Sequence, residues 1–197
     1  MVSYEYQTGL NTCLGHVFLG ASNVLAEVSV GVKEGDWIEY QVEYTGTPPE
    51  GHDVIWARME ITDVQGPSVS VEITVEYADE TRENITIILN LEAGQLGDDF
   101  IVPADLNSGD MFYAENVGNI TISKVEEQTY AGAVRTVTHA TTSETSYYWD
   151  KATGVLVEGN SQFPEYTMKT IVDKTSIWQP QLFGLHPAVF TLWWLEQ

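Results

Sequence analysis

Four aspartates, Asp98, Asp99, Asp105 and Asp110, fall within one stretch that also carries Gly94, Gly97, Pro103 and Gly109. An irregular loop rich in carboxylate oxygens suits a hard cation, and Ca²⁺ is the ion such a loop would hold. The spacing departs from an EF-hand loop, so a solvated acidic loop is the competing reading. Other acids are uninformative. With 29 Asp and Glu in 197 residues, neighbouring carboxylates arise by chance, and no glycosidase-like acid/base pair can be singled out. The histidines His16, His52, His139 and His186 are far apart in unlike contexts. His52 or His139 would support hydrolysis only with a hydroxyl or carboxylate within hydrogen-bond reach in a cleft. Gly20-Ala21-Ser22-Asn23-Val24 lacks the closing glycine of a nucleophile elbow, and no phosphate loop, His-Glu-x-x-His or Cys-x-x-Cys is present. A single cysteine, Cys13, excludes an intrachain disulfide framework. No catalytic residue is assigned.

The aromatic residues offer binding rather than reaction chemistry. Trp37, Trp56 and Tyr148 fall out of phase with the main apolar stripe, whereas Tyr40, Tyr44 and Tyr77 are in phase with it. On a curved sheet, Trp37, Tyr40, Trp56 and Tyr148 could line a concavity for an apolar small molecule or lipid. Ordinary strand packing is the alternative. Two sequons, Asn84-Ile85-Thr86 and Asn119-Ile120-Thr121, place each asparagine on the polar phase of its strand, where a glycan would point to solvent.

Eight Lys and Arg against 29 Asp and Glu give a net charge of −21. That surface repels phosphate backbones, so nucleic acid is not an expected partner. It fits an acidic envelope protein, adaptation to high salt, or cation binding.

These groups would be positioned by strands. Val69, Val71, Ile73, Val75 and Tyr77 alternate with polar residues, and after Ala78–Arg82 the residues Ile85, Ile87, Leu89 and Leu91 repeat the period against Asn84, Thr86, Ile88 and Asn90. A period of two builds one apolar and one wet sheet face, and the polar connection makes the pair a hairpin. Ile38–Tyr44 and Ile55–Ile61 precede it, the second with Ile55, Ala57, Met59 and Ile61 in phase. After a loose region, 92–110, with at most one short strand at Phe100–Val102, strands are expected at Met111–Tyr113, Asn119–Lys124, Ala133–Ala140, Ser143–Trp149, Val155–Glu158 and Tyr166–Val172. The expected fold is all-β, a single curved antiparallel meander sheet or (half-)barrel of about nine or ten strands, spanning 31–178.

Both ends are apolar. Residues 1–30 contain Cys13–Ala26, read as an export-signal remnant lacking the basic start, or as a packed arm. Residues 179–197 contain Leu182–Leu195 with Trp193-Trp194, read as a docked segment or a shortened membrane anchor, and the two apolar termini together offer a surface for homo-oligomers.

Three motifs carry a resemblance: Gly35-Asp36-Trp37-Ile38-Glu39-Tyr40, Asn107-Ser108-Gly109-Asp110, and the run Tyr147–Glu158 containing Tyr148-Trp149-Asp150-Lys151-Ala152-Thr153-Gly154. As a set they resemble uncharacterised archaeal secreted or cell-surface β-proteins over 31–181. In these a GDW-x-x-Y strand opens the domain and a YW-D-x-x-T-G hairpin comes late. The resemblance implies an extracytoplasmic location and no known activity. At the level of fold alone, the hairpin is similar to the LolA/LolB-like lipoprotein carriers of the bacterial envelope. The expected function is a non-enzymatic surface or adhesion domain, with an apolar-ligand carrier and a hydrolase as alternatives.

Overall fold

The computed structural model describes residues 28–49, 51–97 and 99–181. The readings of residues 1–27, including Cys13 and His16, of Asp98, and of 182–197, including His186 and Trp193-Trp194, concern positions outside the described residues.

Among the described residues every regular element is a strand: β1 (Trp37–Gly46), β2 (Val54–Gln65), β3 (Ser68–Tyr77), β4 (Arg82–Asn90), β5 (Met111–Ala114), β6 (Gly118–Thr121), β7 (Lys124–Tyr130), β8 (Ala133–Thr141), β9 (Thr145–Asp150), β10 (Leu156–Gln162) and β11 (Tyr166–Thr175). Nine of them form one antiparallel sheet in the order β4-β3-β2-β1-β11-β10-β9-β8-β7, and β5 and β6 form a separate hairpin. Two meanders, β1–β4 and β7–β11, are therefore joined through their first and last strands, with Ile38 opposite Thr175 and Gly46 opposite Tyr166.

The all-β meander expectation holds, but the barrel does not: β4 and β7 are edges, and the sheet is not closed. Residues 91–123, which connect these edges, pack into the sheet's inner face instead of bringing the edges together. Leu91, Leu96, Ile101, Val102, Phe112, Ile120 and Ile122 join Ile38, Met59, Ile61, Val69, Val71, Val137, Trp149 and Leu156 in one core. The alternation written into β2 and β3 accounts for their part of it. Ala57, Met59 and Ile61 are buried, whereas Ile55 is 37% exposed because a bulge between Val54 and Trp56 breaks the pairing phase. Phe100–Val102 is not a strand; only Ile101 makes an isolated bridge, to Val155. Strand β7 was not expected, since Lys124-Val125-Glu126-Glu127-Gln128 has no apolar alternation to announce it.

Short turns set the registers. Tyr130 and Ala133 close the β7–β8 hairpin around Ala131 (φ 45°) and Gly132 (φ 75°), the two positive φ values that a two-residue hairpin matching the sheet twist demands.

Candidate functional site

The four aromatic residues proposed as a ligand lining are placed in three different surroundings. Tyr40 is 1% exposed on the inner face of β1, its hydroxyl donating to the Leu156 carbonyl at 3.0 Å and its ring 5.6 Å from that of Phe100. Burial raises the phenol's pKa well above its usual value, so it remains a neutral donor. Trp37 and Trp56 lie on the outer face, because Trp37 opposes Glu60 and Trp56 opposes Gln41 in the β1–β2 ladder. Each is covered by a cation: Arg58 sits 4.3 Å above Trp37 and Arg82 sits 5.4 Å from the Trp56 ring. Glu39 holds Arg58 at 2.9 Å, and Glu76 holds Arg82 at 2.6 Å. Tyr148, on β9, tilts against His139 at 4.6 Å and has the Lys124 ammonium 5.8 Å from its ring. β11 and β10 separate β9 from β1, so these rings do not converge on one cavity. Two clefts elsewhere are lined by other residues. One of about 510 Å³ lies beside Val28–Val30, Gly66, Pro67 and Glu92, and one of about 330 Å³ lies beside Asp105, Arg135, Asp150 and Lys151.

The described loop aspartates perform separate structural tasks. Asp99 is buried with φ 62°, and its carbonyl accepts the Trp149 indole N–H at 2.7 Å. Asp105 is exposed, its carbonyl accepting from Lys151 Nζ at 3.2 Å. Asp110 closes its own turn, its carboxylate accepting the Asn107 backbone N–H at 2.7 Å. Among the described residues no three His, Cys, Asp or Glu side chains gather as a metal-holding group. Both sequon asparagines, Asn84 on β4 and Asn119 on β6, are exposed, and Ile120 beside the latter is buried.

The motif residues explain themselves as architecture. Asp36, buried, accepts from the Lys33 backbone N–H at 3.0 Å and from Lys33 Nζ at 2.7 Å, fixing the turn into β1. Asp150 is fully buried at the end of β9. One carboxylate oxygen accepts from Arg135 Nε at 2.7 Å; the other accepts from the Thr153 backbone N–H at 3.0 Å and the Thr153 hydroxyl at 2.8 Å. Gly154 completes this turn with φ 74°, and a Cβ there would overlap the Val102 carbonyl. Arg135 in turn stacks 4.6 Å from the ring of Trp178, whose indole N–H donates to the Tyr130 carbonyl at 3.1 Å. Thus the segment after β11 crosses the outer face to the β7–β8 hairpin, where Gln181 N–H donates to Gly132 at 2.7 Å. Neither Arg135 nor Trp178 was singled out by sequence, because their partners are 15 and 48 residues away.

His139 brings together hydroxyls that no motif announced. Ser123 Oγ donates to the His139 carbonyl at 2.9 Å and lies 2.8 Å from Nδ1. With its proton committed there, Oγ accepts from Nδ1–H, which leaves Nε2 as the acceptor for Ser146 Oγ at 2.8 Å. Partial burial, with Lys124 nearby, lowers the imidazole pKa below its usual value, and Glu126 opposes the shift. The neutral ring is therefore favoured near pH 7. His52, by contrast, is exposed, and its carbonyl accepts from the Tyr44 hydroxyl at 2.8 Å.

No protein-family model matches the chain, and a search of curated proteins finds no match.

Proposed function

We propose that this chain is a non-enzymatic extracytoplasmic β-domain serving cell-surface structure or adhesion, with its outer sheet face as the working surface. The observation that carries this reading is the contrast between the two faces. Inside, Tyr40, Trp149 and the 91–123 segment fill the sheet, and a carrier of apolar molecules needs a lined cavity there. Outside, the described residues form a mosaic of mutually neutralised groups. Arg58 rests on Trp37 and Glu39, Arg82 on Trp56 and Glu76, and Lys169 reaches Glu158 at 3.3 Å. The charge of −21, the two exposed sequons and the resemblance to archaeal surface proteins support the location.

Native mass spectrometry, stepped from gentle to denaturing conditions, tests the function: the expected result is a chain free of small molecules throughout. An apolar species that leaves on unfolding would replace this reading with a carrier. A membrane-impermeant biotin ester applied to intact producing cells tests the location. The expected chain is labelled before lysis; labelling only after lysis overturns the extracytoplasmic assignment.

A hydrolase is the second reading, favoured by the Ser146–His139–Ser123 arrangement alone. In it Ser146 is the nucleophile, His139 Nε2 takes its proton and Ser123 orients the ring. A fluorophosphonate probe that labels the native chain and spares Ser146→Ala would favour it, and absence of labelling would remove it.

A further inference from the structure

The two edges of the sheet are protected unequally. β7 presents Lys124, Glu126 and Glu127, charges of the kind that deter a strand from another molecule. β4 carries charge only at Arg82 and Glu83; from Asn84 to Asn90 it has no charge, no proline and no bulge in its register with β3. Ile88 is 70% exposed and Ile85 41% exposed on this strand.

The ladder shows which backbone groups are available. Tyr77 N–H donates to Thr81 and Leu91 N–H donates to Pro67, so the odd-numbered positions of β4 bond toward β3. Even-numbered positions then aim both N–H and C=O away from the sheet. Asn90 confirms the phase, since its two groups are already bonded to Gln95 at 2.9 and 3.0 Å. Arg82, Asn84, Thr86 and Ile88 remain, and among the described residues no strand lies beyond them.

We propose that β4 pairs with β4 of a second copy of this chain, antiparallel about a twofold axis at Ile85. This register sets Arg82 against Ile88 and Asn84 against Thr86, so every one of the four outward-facing positions gains a bonded partner. Like charges do not meet: Glu83 faces Ile87, and the two Arg82 residues lie at opposite ends of the new ladder. That self-complementarity singles out a second copy, and high salt screens the repulsion between two chains of net charge −21. Pairing with β7 would instead set Glu126 and Glu127 beside the apolar strand and leave an open head-to-tail chain. The inference stands on the edge geometry and does not depend on the functional reading above.

The test is sedimentation velocity on the full chain over a wide concentration range in high salt, paired with hydrogen exchange. A monomer–dimer equilibrium is expected, with the amides of Arg82, Asn84, Thr86 and Ile88 gaining protection as dimer forms. Ile88→Lys should abolish the dimer, and Thr86→Pro, which removes an outward N–H and no bond to β3, should do the same; Glu127→Lys on the other edge should leave it intact. A monomer at every concentration overturns the proposal, as does a dimer that survives Ile88→Lys. Open-ended polymers would substitute β4–β7 pairing. Protection of the four amides at every concentration would place part of the same chain on this edge and likewise overturn it.

Discussion

Replacing Arg135 by Met isolates the contribution of the buried ion pair at the centre of the late hairpin. The Asp150 side chain is 1% exposed, so its carboxylate would stay out of water with Thr153 as its remaining hydrogen-bond partner. Removing one member of a buried pair costs about 3–5 kcal/mol. Because the Arg135 side chain is itself 23% exposed and Thr153 still supplies two donors, the lower end applies, about 3 kcal/mol. Loss of the guanidinium stack on Trp178 adds about 0.5–1 kcal/mol. For a domain of this size the combined loss should lower the melting temperature by roughly 7–16 °C. Urea unfolding followed by tryptophan fluorescence measures the change, and a double-mutant cycle with Asp150→Asn separates the pair from its surroundings. Added salt should alter the result little, because the carboxylate is shielded from the ions that screen surface pairs. Arg82→Met, breaking a pair whose arginine is 63% exposed, serves as the control and should cost about 0–1 kcal/mol. An Arg135→Met variant within about 1 kcal/mol of the native chain, or a cycle with coupling near zero, refutes the reasoning.

Gly154→Ala should destabilise the chain by more than the usual backbone penalty of about 1 kcal/mol, since the new methyl meets the Val102 carbonyl as well as a positive φ; calorimetry showing an unchanged melting temperature would contradict this. The lowered pKa of His139 makes the unfolded chain bind more protons just below pH 6.5, so this residue's contribution to stability is lost as pH falls from about 6.5 through the folded value. The difference in unfolding free energy between native and His139→Gln chains should therefore depend on pH in that window, and a flat difference would contradict the assignment. Expression in a glycosylating host should add two glycans, each removed by Asn84→Gln or Asn119→Gln, as mass spectrometry would show; an unmodified chain contradicts the exposure argument.

Alternation made most strands readable before any coordinates. Val69, Val71 and Leu89 are buried where the period of two puts them, because one face of the sheet packs on a core. β7 escaped that logic as an edge strand whose sequence is mostly polar. The central pairing of β1 with β11 was also hidden, since hydrogen bonds such as Trp37 N–H to Ser176 Oγ join residues 139 apart and leave no local pattern. The exposure of Asn84 and Asn119 was legible because it follows strand phase. Tyr40 was not, because phase places a side chain inward without saying whether the inside is filled or hollow. The loop aspartates were ambiguous for a different reason: a carboxylate that caps a turn and one that binds an ion have the same sequence neighbours. The Ser123–His139–Ser146 contact depends on two adjacent ladders, and only strand order brings its members together.

The meeting of the first and last strands gives the domain a mechanical grain. Trp37 and Ser176 lie at the same end of the β1–β11 ladder, clasped by Trp37 N–H to Ser176 Oγ at 2.9 Å, Ser176 N–H to the Trp37 carbonyl at 3.0 Å and the Thr175 hydroxyl to the same carbonyl at 2.8 Å. A pull applied at Trp37 and Ser176 themselves loads those bonds first and then opens the ladder rung by rung, like a zip, instead of shearing all rungs together. The tear runs down the middle of the sheet, parting the β1–β4 meander from the β7–β11 meander, with residues 91–123 as the tether between them. Tension across that pair therefore meets the rungs one at a time, while the bonds of Trp178 and Gln181 to the β7–β8 hairpin stand between the clasp and any load from further along the chain.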